Sequence, residues 1–558
     1  MNQTILKTIT LSIFASSVLF GATPNIGDIE KQIQPPKIEK EKPTLPQVGT
    51  KKYKIPMKDS GKTIFVKSFS FSGNIHIHSD DLQQLAKEYE NKDLTFTQIS
   101  QLTSKITKLY REKGYFVARA YLPQQNTKQN DNVVEIAIIE GNYGAFHLKN
   151  SSLVKDSIVQ AMLDDIKDKN IVSTKTLERA MLIINDTPGA IVTAADVKPG
   201  KKVGTSDFDI TTEETNPYDG YILVDNQGSR YTGTNRVMAG INFNSPFKIG
   251  DKISLSGLIS NGMDLKNGRV AYSSPLMPNG LRGEMSYSKT TYSLVEEYKN
   301  LDAKGDSTTL DATLTYPIIR TRVENLYTSL TIAKKDLKDE VGSTNDITKK
   351  DTKSLKVGVD YDKNYLAFGL NSNSNIKFNY AYGNLSFDDA TKKATDEAGA
   401  DTNGNYSKIN LDLAHNIALN QKFTLESSLK MQYALGNKNL DGSEDFSIGG
   451  SNGVKVYPDG ELSAENGYLF STELKYKLPS IDTLSSQVGV FYDRGKAFMA
   501  NNTVGFETKS LQDVGIGYYG SYKDFFGQLQ VAWTLNSAVV SSEPAAHSRV
   551  LFQGGWVF

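Results

Sequence analysis

Between residues 218 and 558 the chain alternates apolar and polar side chains almost without a break, and no other feature narrows its fold so far. A period of two describes extended strands with one apolar face and one wet face. Ile253, Leu255, Gly257 and Ile259 alternate with Lys252, Ser254 and Ser256. Leu355, Val357, Val359 and Tyr361 alternate with Lys356, Gly358 and Asp360, and Leu529, Val531, Trp533 and Leu535 with Gln528, Gln530 and Thr534. The chain holds 28 Tyr, 24 Phe and 44 Gly, yet its mean hydropathy is −0.40. Strands that show one face to lipid and the other to water average out in this way. A membrane admits strands only when they close into a barrel, because an open edge would leave backbone N–H and C=O groups unsatisfied in hydrocarbon. At roughly 20 to 22 residues per strand and connection, the region accommodates about 16 strands. A water-soluble sandwich would also alternate, but here the pattern runs on through Val550, Phe552, Trp556 and Phe558, which share one face. The expected fold class is a β-barrel membrane protein, an antiparallel transmembrane barrel over 218–558.

Ahead of the barrel, Lys7, the apolar run 9–20 and Gly21-Ala22 read as a secretory signal peptide over 1–22, the competing reading being a buried helix. No later stretch reaches the ~18 uninterrupted apolar residues of a membrane helix. Such an exported chain is periplasmic, secreted or in the outer membrane. Basic and acidic residues balance at 63 each, so the basic footprint of a nucleic-acid binder is missing. Cysteine is absent, which excludes disulfide frameworks and thiolate metal or redox sites. Within 23–63, Ile26, Ile29 and Ile33 have the spacing of a short amphipathic helix, and Pro35, Pro36, Pro43 and Pro46 punctuate a charged, extended linker.

Residues 64–143 read as a compact α+β unit. A strand over 65–71 ends at Gly73-Asn74, and Ser79 caps a helix carrying Leu82, Leu85, Ala86 and Tyr89. A second helix over 97–113 buries Ile99, Leu102, Ile106, Leu109 and Tyr110 and stops at Gly114, and strands follow at 117–122 and 133–139. Residues 144–217 repeat this order: a start at 146–148, helices over 155–163 and 174–185, a break at Pro188-Gly189, and strands near 190–197 and 208–212. Small sheets like these leave edge strands whose free backbone groups can pair with an incoming extended peptide.

The pieces FSFSGN, YREKGYFVARAYLP and VEIAIIEG resemble a polypeptide-transport-associated (POTRA) domain, which makes the two units POTRA 1 and POTRA 2. At the start of the barrel, Asp225-Asn226-Gln-Gly228-Ser229-Arg230, followed by Gly233 and Arg236, resembles the outer-membrane transporter of two-partner secretion systems. Alone it would read as a polar first hairpin. The long stretch 446–468 resembles the loop that such barrels tuck into their pore, with Val454, Tyr457 and Pro458 matching its tip. The family expects Arg then Gly where this chain has Lys455 then Val456. The resemblance pairs the tip cation with an acidic residue on the inner wall. Val488, Val490 and Tyr492 share one parity and face lipid, so Asp493 faces the lumen and is the expected partner of Lys455. The competing reading leaves Lys455 on a solvated loop. A terminal Phe558, with Trp556 beside it, resembles the assembly signal read by the barrel assembly machinery.

The resemblance implies a translocator in the outer membrane, POTRA units in the periplasm, whose partner is a secreted exoprotein, a haemolysin, adhesin or haem-binding protein, caught by its N-terminal secretion domain. It implies a monomer surrounded by outer-membrane lipid, and it offers the 23–34 helix as a plug, where the plain reading is a spacer. Rival readings are an insertase of the same superfamily, which usually carries three or more POTRA units, and a porin-like channel. No catalytic, cofactor or metal residues are expected. Gly449-Gly450-Ser451-Asn452-Gly453 is formally G-x-S-x-G, but no helix follows Ser451, and His547 is the lone later histidine. His76 and His78 lack a third ligand and read as solvated.

Overall fold

The computed structural model describes residues 24–30, 33, 45–46, 48, 61–167, 171–501, 508–536, 540, 543–544 and 546–558. The signal peptide read over 1–22 and most of the linker lie outside the described residues. Sixteen antiparallel strands form a closed barrel. They are β1 (Tyr218–Asp225), β2 (Arg236–Asn244), β3 (Lys252–Ser260), β4 (Leu265–Pro275), β5 (Arg282–Ser293) and β6 (Ala303–Arg320). Next come β7 (Glu324–Val341), β8 (Asp346–Ala367), β9 (Leu370–Phe387), β10 (Gly404–Ala418) and β11 (Phe423–Ala434). The set is completed by β12 (Asn466–Lys477), β13 (Leu484–Phe498), β14 (Lys509–Tyr522), β15 (Phe525–Thr534) and β16 (Ser548–Val557).

Each strand pairs with its neighbours in sequence, and β16 returns to β1 with Gln553 opposite Asp225 and Val557 opposite Tyr221. Below that register Gly220 and Phe558 exchange backbone hydrogen bonds at 2.9 and 3.0 Å. The outward positions are apolar and exposed, among them Val224, Leu255, Tyr287, Leu330, Val357, Val490 and Phe552. This is the outcome the alternation requires, because no core inside the barrel could absorb that face. Strands β6 to β9 run for 18 to 22 residues, about twice the 9–11 that span a bilayer, so this wall rises well beyond the membrane.

The first periplasmic unit departs from the sequence reading at its start. The expected single strand is two strands in different sheets: Thr63–Val66 pairs with Lys92–Thr95, and Ser68–Ser72 runs parallel to Val133–Ile139. The switch falls at Lys67, whose N–H goes to the Asn132 carbonyl instead. Ser79 is not the cap. His78 holds the N-cap position of the helix Ser79–Ala86 without a side-chain bond, and the Ser79 hydroxyl accepts from Asn74 at 3.0 Å. The helix Phe96–Glu112 carries a capping box made by Thr95 and Gln98 and buries Ile99, Leu102, Ile106 and Tyr110. The strand expected over 117–122 shortens to Arg119–Tyr121.

His76 is not simply solvated: Nδ1 lies 2.6 Å from Glu140 Oε2, and Glu140 also accepts from the Ile75 and His76 N–H groups and the Tyr110 hydroxyl. Burial pushes the Glu140 carboxyl up, but those donors more than offset it and hold it below its usual 4.5.

The second unit has the parallel pair Asn142–Ser151 and Thr205–Glu213 with Ile191–Pro199 on the other side, covered by the helices Asp156–Asp164 and Thr174–Asn185. It docks on the periplasmic turns of the barrel. Arg320 forms a two-pronged pair with Asp186 at 2.6 Å on each arm. Arg322 reaches Glu178 at 2.7 Å and the Leu45 and Pro46 carbonyls, while Leu45 is buried in the core of this unit. At the opposite end, the tract 388–405, which shows no apolar period, contains a helix, Ala390–Glu397, because the Asp389 carboxylate caps the N–H groups of Thr391 and Lys392.

Candidate functional site: the barrel lumen

Two chain segments lie in the lumen. The first is a short helix, α1 (Ile26–Glu30), begun by the Asn25 side chain accepting from the Gly27 N–H at 2.8 Å. Ile26 and Ile29 are fully enclosed, packed with Leu223, Met238, Leu258 and Tyr292 of the inner wall. Polar contacts fix its ends. Asp339 on β7 accepts from the Ile26 N–H at 2.8 Å, and Lys335 lies 3.1 Å from Glu30, which also takes a bond from Ser307. The helix expected over 23–34 is thus described over five residues, with Ile33 packed beside it.

The second segment is the long loop between β11 and β12. It leaves through a two-residue hairpin, Phe446–Ser447 against Ser463–Ala464. Inside it the backbone turns tightly: Gly450 N–H reaches the Tyr457 carbonyl at 3.0 Å and Val454 N–H the Ile448 carbonyl at 2.8 Å. Ile448, Val454, Val456 and Leu462 then pack on Leu469, Phe491, Ala497, Leu511 and Ala532 of the inner wall. Ile448 can seat this closely because Gly495 faces it; a Cβ there would stand 2.9 Å from Ile448 Cβ. The residues that matched G-x-S-x-G are therefore turn residues of a docked loop.

At the tip, Lys455 Nζ donates to Asp493 Oδ2 at 2.6 Å and lies 4.4 Å from the Phe491 ring centroid. Asp493 is fully buried and points inward from β13, opposite Asp513 on β14. Asp513 in turn accepts from the Val456 N–H at 2.8 Å, so two carboxylates face one lysine. The Tyr457 hydroxyl donates to Asn536 Oδ1 at 2.9 Å and its carbonyl accepts from Arg549 at 3.0 Å.

The barrel-opening motif lies within reach of this tip. Asp225 and Arg236, direct partners across β1 and β2, form a buried two-pronged pair at 2.8 and 3.1 Å. Asn226 extends the closing seam with its side chain, donating to the Val550 carbonyl and accepting from the Phe552 N–H at 2.7 Å. The Gly228 carbonyl accepts from the same Arg549 that holds Tyr457, and the Tyr231 hydroxyl donates to the Asp459 carbonyl at 3.3 Å. Arg230 turns away to Glu297, 2.9 Å distant.

The structure thus brings Val454, Lys455, Tyr457 and Asp493 together and sets Asp225, Asn226 and Gly228 close by, with Arg230 apart. The Trp556 and Phe558 rings meet in a tilted contact, 4.6 Å between centroids, near the periplasmic end of the seam. Sequence reasoning missed Asp513, Asn536 and Arg549, and it named Arg236 in the motif without its pairing to Asp225. Among the described residues no three His, Asp or Glu side chains are grouped as metal ligands.

A closed 16-stranded barrel with two periplasmic α+β units and an inward-folded loop defines the class: an outer-membrane protein-translocating barrel. Residues 204–518 match the family described as haemolysin secretion/activation protein ShlB/FhaC/HecB, and residues 64–141 match the POTRA domain, ShlB-type. The chain belongs to the haemolysin secretion/activation protein family, the outer-membrane transporters of two-partner secretion. It is 28% identical over 516 residues, 90% of each chain, to the heme/hemopexin transporter protein HuxB of Haemophilus influenzae. It is 21% identical to the outer membrane transporter CdiB of Dickeya dadantii, over 76% of this chain and 75% of that one. The solved structure of CdiB from Escherichia coli shares the fold, with a TM-score of 0.74 at 18% identity over 90% of this chain and 93% of that one.

Proposed function

We propose that the POTRA units capture an unfolded exoprotein by its N-terminal secretion domain, pair with it through their edge strands, and feed it through the lumen once α1 and the long loop have moved aside. The observation that carries this reading is that two segments of the chain itself lie in the lumen, each held against the wall by apolar packing and a few polar contacts. Segments held this way can be displaced without breaking a strand. The Lys455–Asp493 pair acts as the lock of the loop, and α1 acts as the plug. The periplasm holds no ATP, so the drive comes from the client: a segment that folds outside cannot return. The protein is not an enzyme and works as a monomer. The barrel assembly machinery reads Trp556 and Phe558 during biogenesis.

The 28% identity to a heme/hemopexin transporter protein supports a haem-related exoprotein as the client. Deleting the gene and comparing secreted proteins tests the reading. Loss of one large exoprotein supports it, broad loss of outer-membrane barrels points to an insertase, and loss of small-solute uptake points to a porin.

A further inference from the structure

The tall wall of the barrel carries a row of cations on its outer face that translocation does not use. On β4, Lys266 shares the outward parity of the exposed Val270 and Tyr272; on β5, Lys289 follows Tyr287. On β7, Lys334 follows Ile332, and on β8, Lys353 precedes Leu355. All four stand at the extracellular rim of the apolar band, on the side away from the turns that dock the second POTRA unit. Thr308 takes the corresponding place on the intervening strand β6, directly opposite Lys289. The row therefore follows the rim across five neighbouring strands that lie about 4.8 Å apart.

Charge makes the row unusual. Lys334 and Lys353 are direct cross-strand partners, an arrangement that destabilises a sheet unless an anion lies over it. Lys334 reaches Asp336 at 2.9 Å, but among the described residues no carboxylate lies within ion-pairing distance of Lys266, Lys289 or Lys353. The next outward tier is acidic, Asp336 opposite Asp351, and the tier above it basic again, Lys338 opposite Lys349. Of the four lysines in the tier that touches the lipid band, Lys334 alone is ion-paired among the described residues. A ligand that fits needs acyl chains to lie against Tyr287, Leu310, Ile332 and Leu355 and a phosphate at the level of the lysines. Cations at a membrane surface attract anionic headgroups in this way.

We infer that Lys266, Lys289, Lys334 and Lys353 form a binding site for the phosphates of the phosphorylated glycolipid of the outer leaflet, orienting the tall wall in the membrane. The test reconstitutes the full chain in phosphatidylethanolamine nanodiscs doped with bis-phosphorylated lipid A, dephosphorylated lipid A or phosphatidylglycerol, and counts retained lipid by native mass spectrometry. The expected result is at least tenfold preference for the bis-phosphorylated form over the other two. The preference disappears when all four lysines become Gln and survives when all four become Arg, with barrel closure checked by heat-modifiable gel migration. Equal retention of the phosphorylated and dephosphorylated forms overturns the proposal, as does equal retention of phosphatidylglycerol, or a preference that persists in the Gln variant.

Discussion

Replacing Lys455 by Ala removes the cation from a place where Asp493 is fully enclosed and Asp513 stands directly opposite it. Removing one partner of a buried ion pair costs about 3–5 kcal/mol, because the other charge is left uncompensated. Lys455 keeps 15% of its side-chain surface exposed toward a wet lumen, so the lower end, about 3 kcal/mol, applies here. At ~1.4 kcal/mol per factor of ten, the undocked state of the loop should be populated roughly a hundredfold more often. The barrel itself should not respond, because its ladders close without the loop.

The chain has no cysteine, so Ala532→Cys on the wall beneath the loop gives one reporter, buried in the same cluster as Val454 and Val456. Its labelling by a water-soluble maleimide measures how often the loop leaves. The expected outcome is a rate up by roughly a hundredfold with Lys455→Ala and mostly restored when Asp493→Asn is added, since the second change removes the stranded charge. A Lys455→Ala rate within about threefold of the parent would show that apolar packing alone holds the loop and would refute this assignment.

Lys455→Arg should slow labelling of the same reporter several-fold, because Oδ1 of both Asp493 and Asp513 lacks a partner and a planar fork can reach two carboxylates. Asn226→Ala removes two side-chain bonds from the top of the seam and should lower the temperature of heat-modifiable gel migration by a few degrees, corresponding to about 1–3 kcal/mol. Arg320→Ala breaks the two-pronged pair to Asp186 and should broaden spin-label distances between the second POTRA unit and the barrel more than Arg322→Ala, because the Arg322 side chain is itself more exposed and pairs with its carboxylate through one arm. Glu140 is held below 4.5 in the folded state, so its contribution is fully present above its unfolded pKa and is lost as pH falls through the folded one. The urea midpoint of the first POTRA unit, followed by pulse proteolysis of the full chain, should fall below about pH 4.5, and Glu140→Gln should flatten that fall.

The wall of the barrel was legible because lipid on one side and water on the other enforce a period of two at every strand. The same parity argument that aimed Asp493 inward applies to Asp513: Ile516 and Tyr518 face out, so Asp513 faces in, and only the emphasis on one strand hid it. Arg236 stood in the motif, and its pairing with Asp225 was within reach for the same reason, since it is the inward neighbour of the exposed Val237 across the turn from Asp225. Arg549 and Asn536 were not legible, since their roles depend on which distant strand the loop tip meets, and local pattern carries no such information. In the first POTRA unit the buried positions change parity across Lys67, from Val66 to Phe69, so the sequence did carry a local mark of the change of sheet, and the backbone bond from Lys67 to Asn132 goes with it. The helix at 390–397 was missed because it is polar all round, and its Asp389 cap was the one available signal.

The two lumen segments are not held independently. Gly27 of α1 lies against Ser443 so closely that an added Cβ would stand 2.3 Å from the Ser443 nitrogen. Lys335 faces both Glu30 of α1 and Glu444 of the loop, at 3.1 and 3.8 Å, and Glu444 is further held by Lys408 at 2.8 Å. Displacing the 440–445 segment would leave Lys335 with one carboxylate instead of two and would uncover the backbone face against which α1 rests. Conversely, extracting α1 removes the packing over Gly442 and Ser443 while Lys350–Asp441, at 2.5 Å, still anchors that segment to β8. On the proposed gating, each departure should therefore make the other easier, which by linkage is a positive coupling between release of α1 and release of the loop. Fully enclosing Ile26 and Ile29 stabilises α1 by about 1.5–3 kcal/mol each, so displacing α1 must offset that apolar term as well as the shared ion pairs. On the proposed route, a segment entering from the POTRA side would compete for the same wall residues, Leu223, Met238, Leu258 and Tyr292, that hold Ile26 and Ile29.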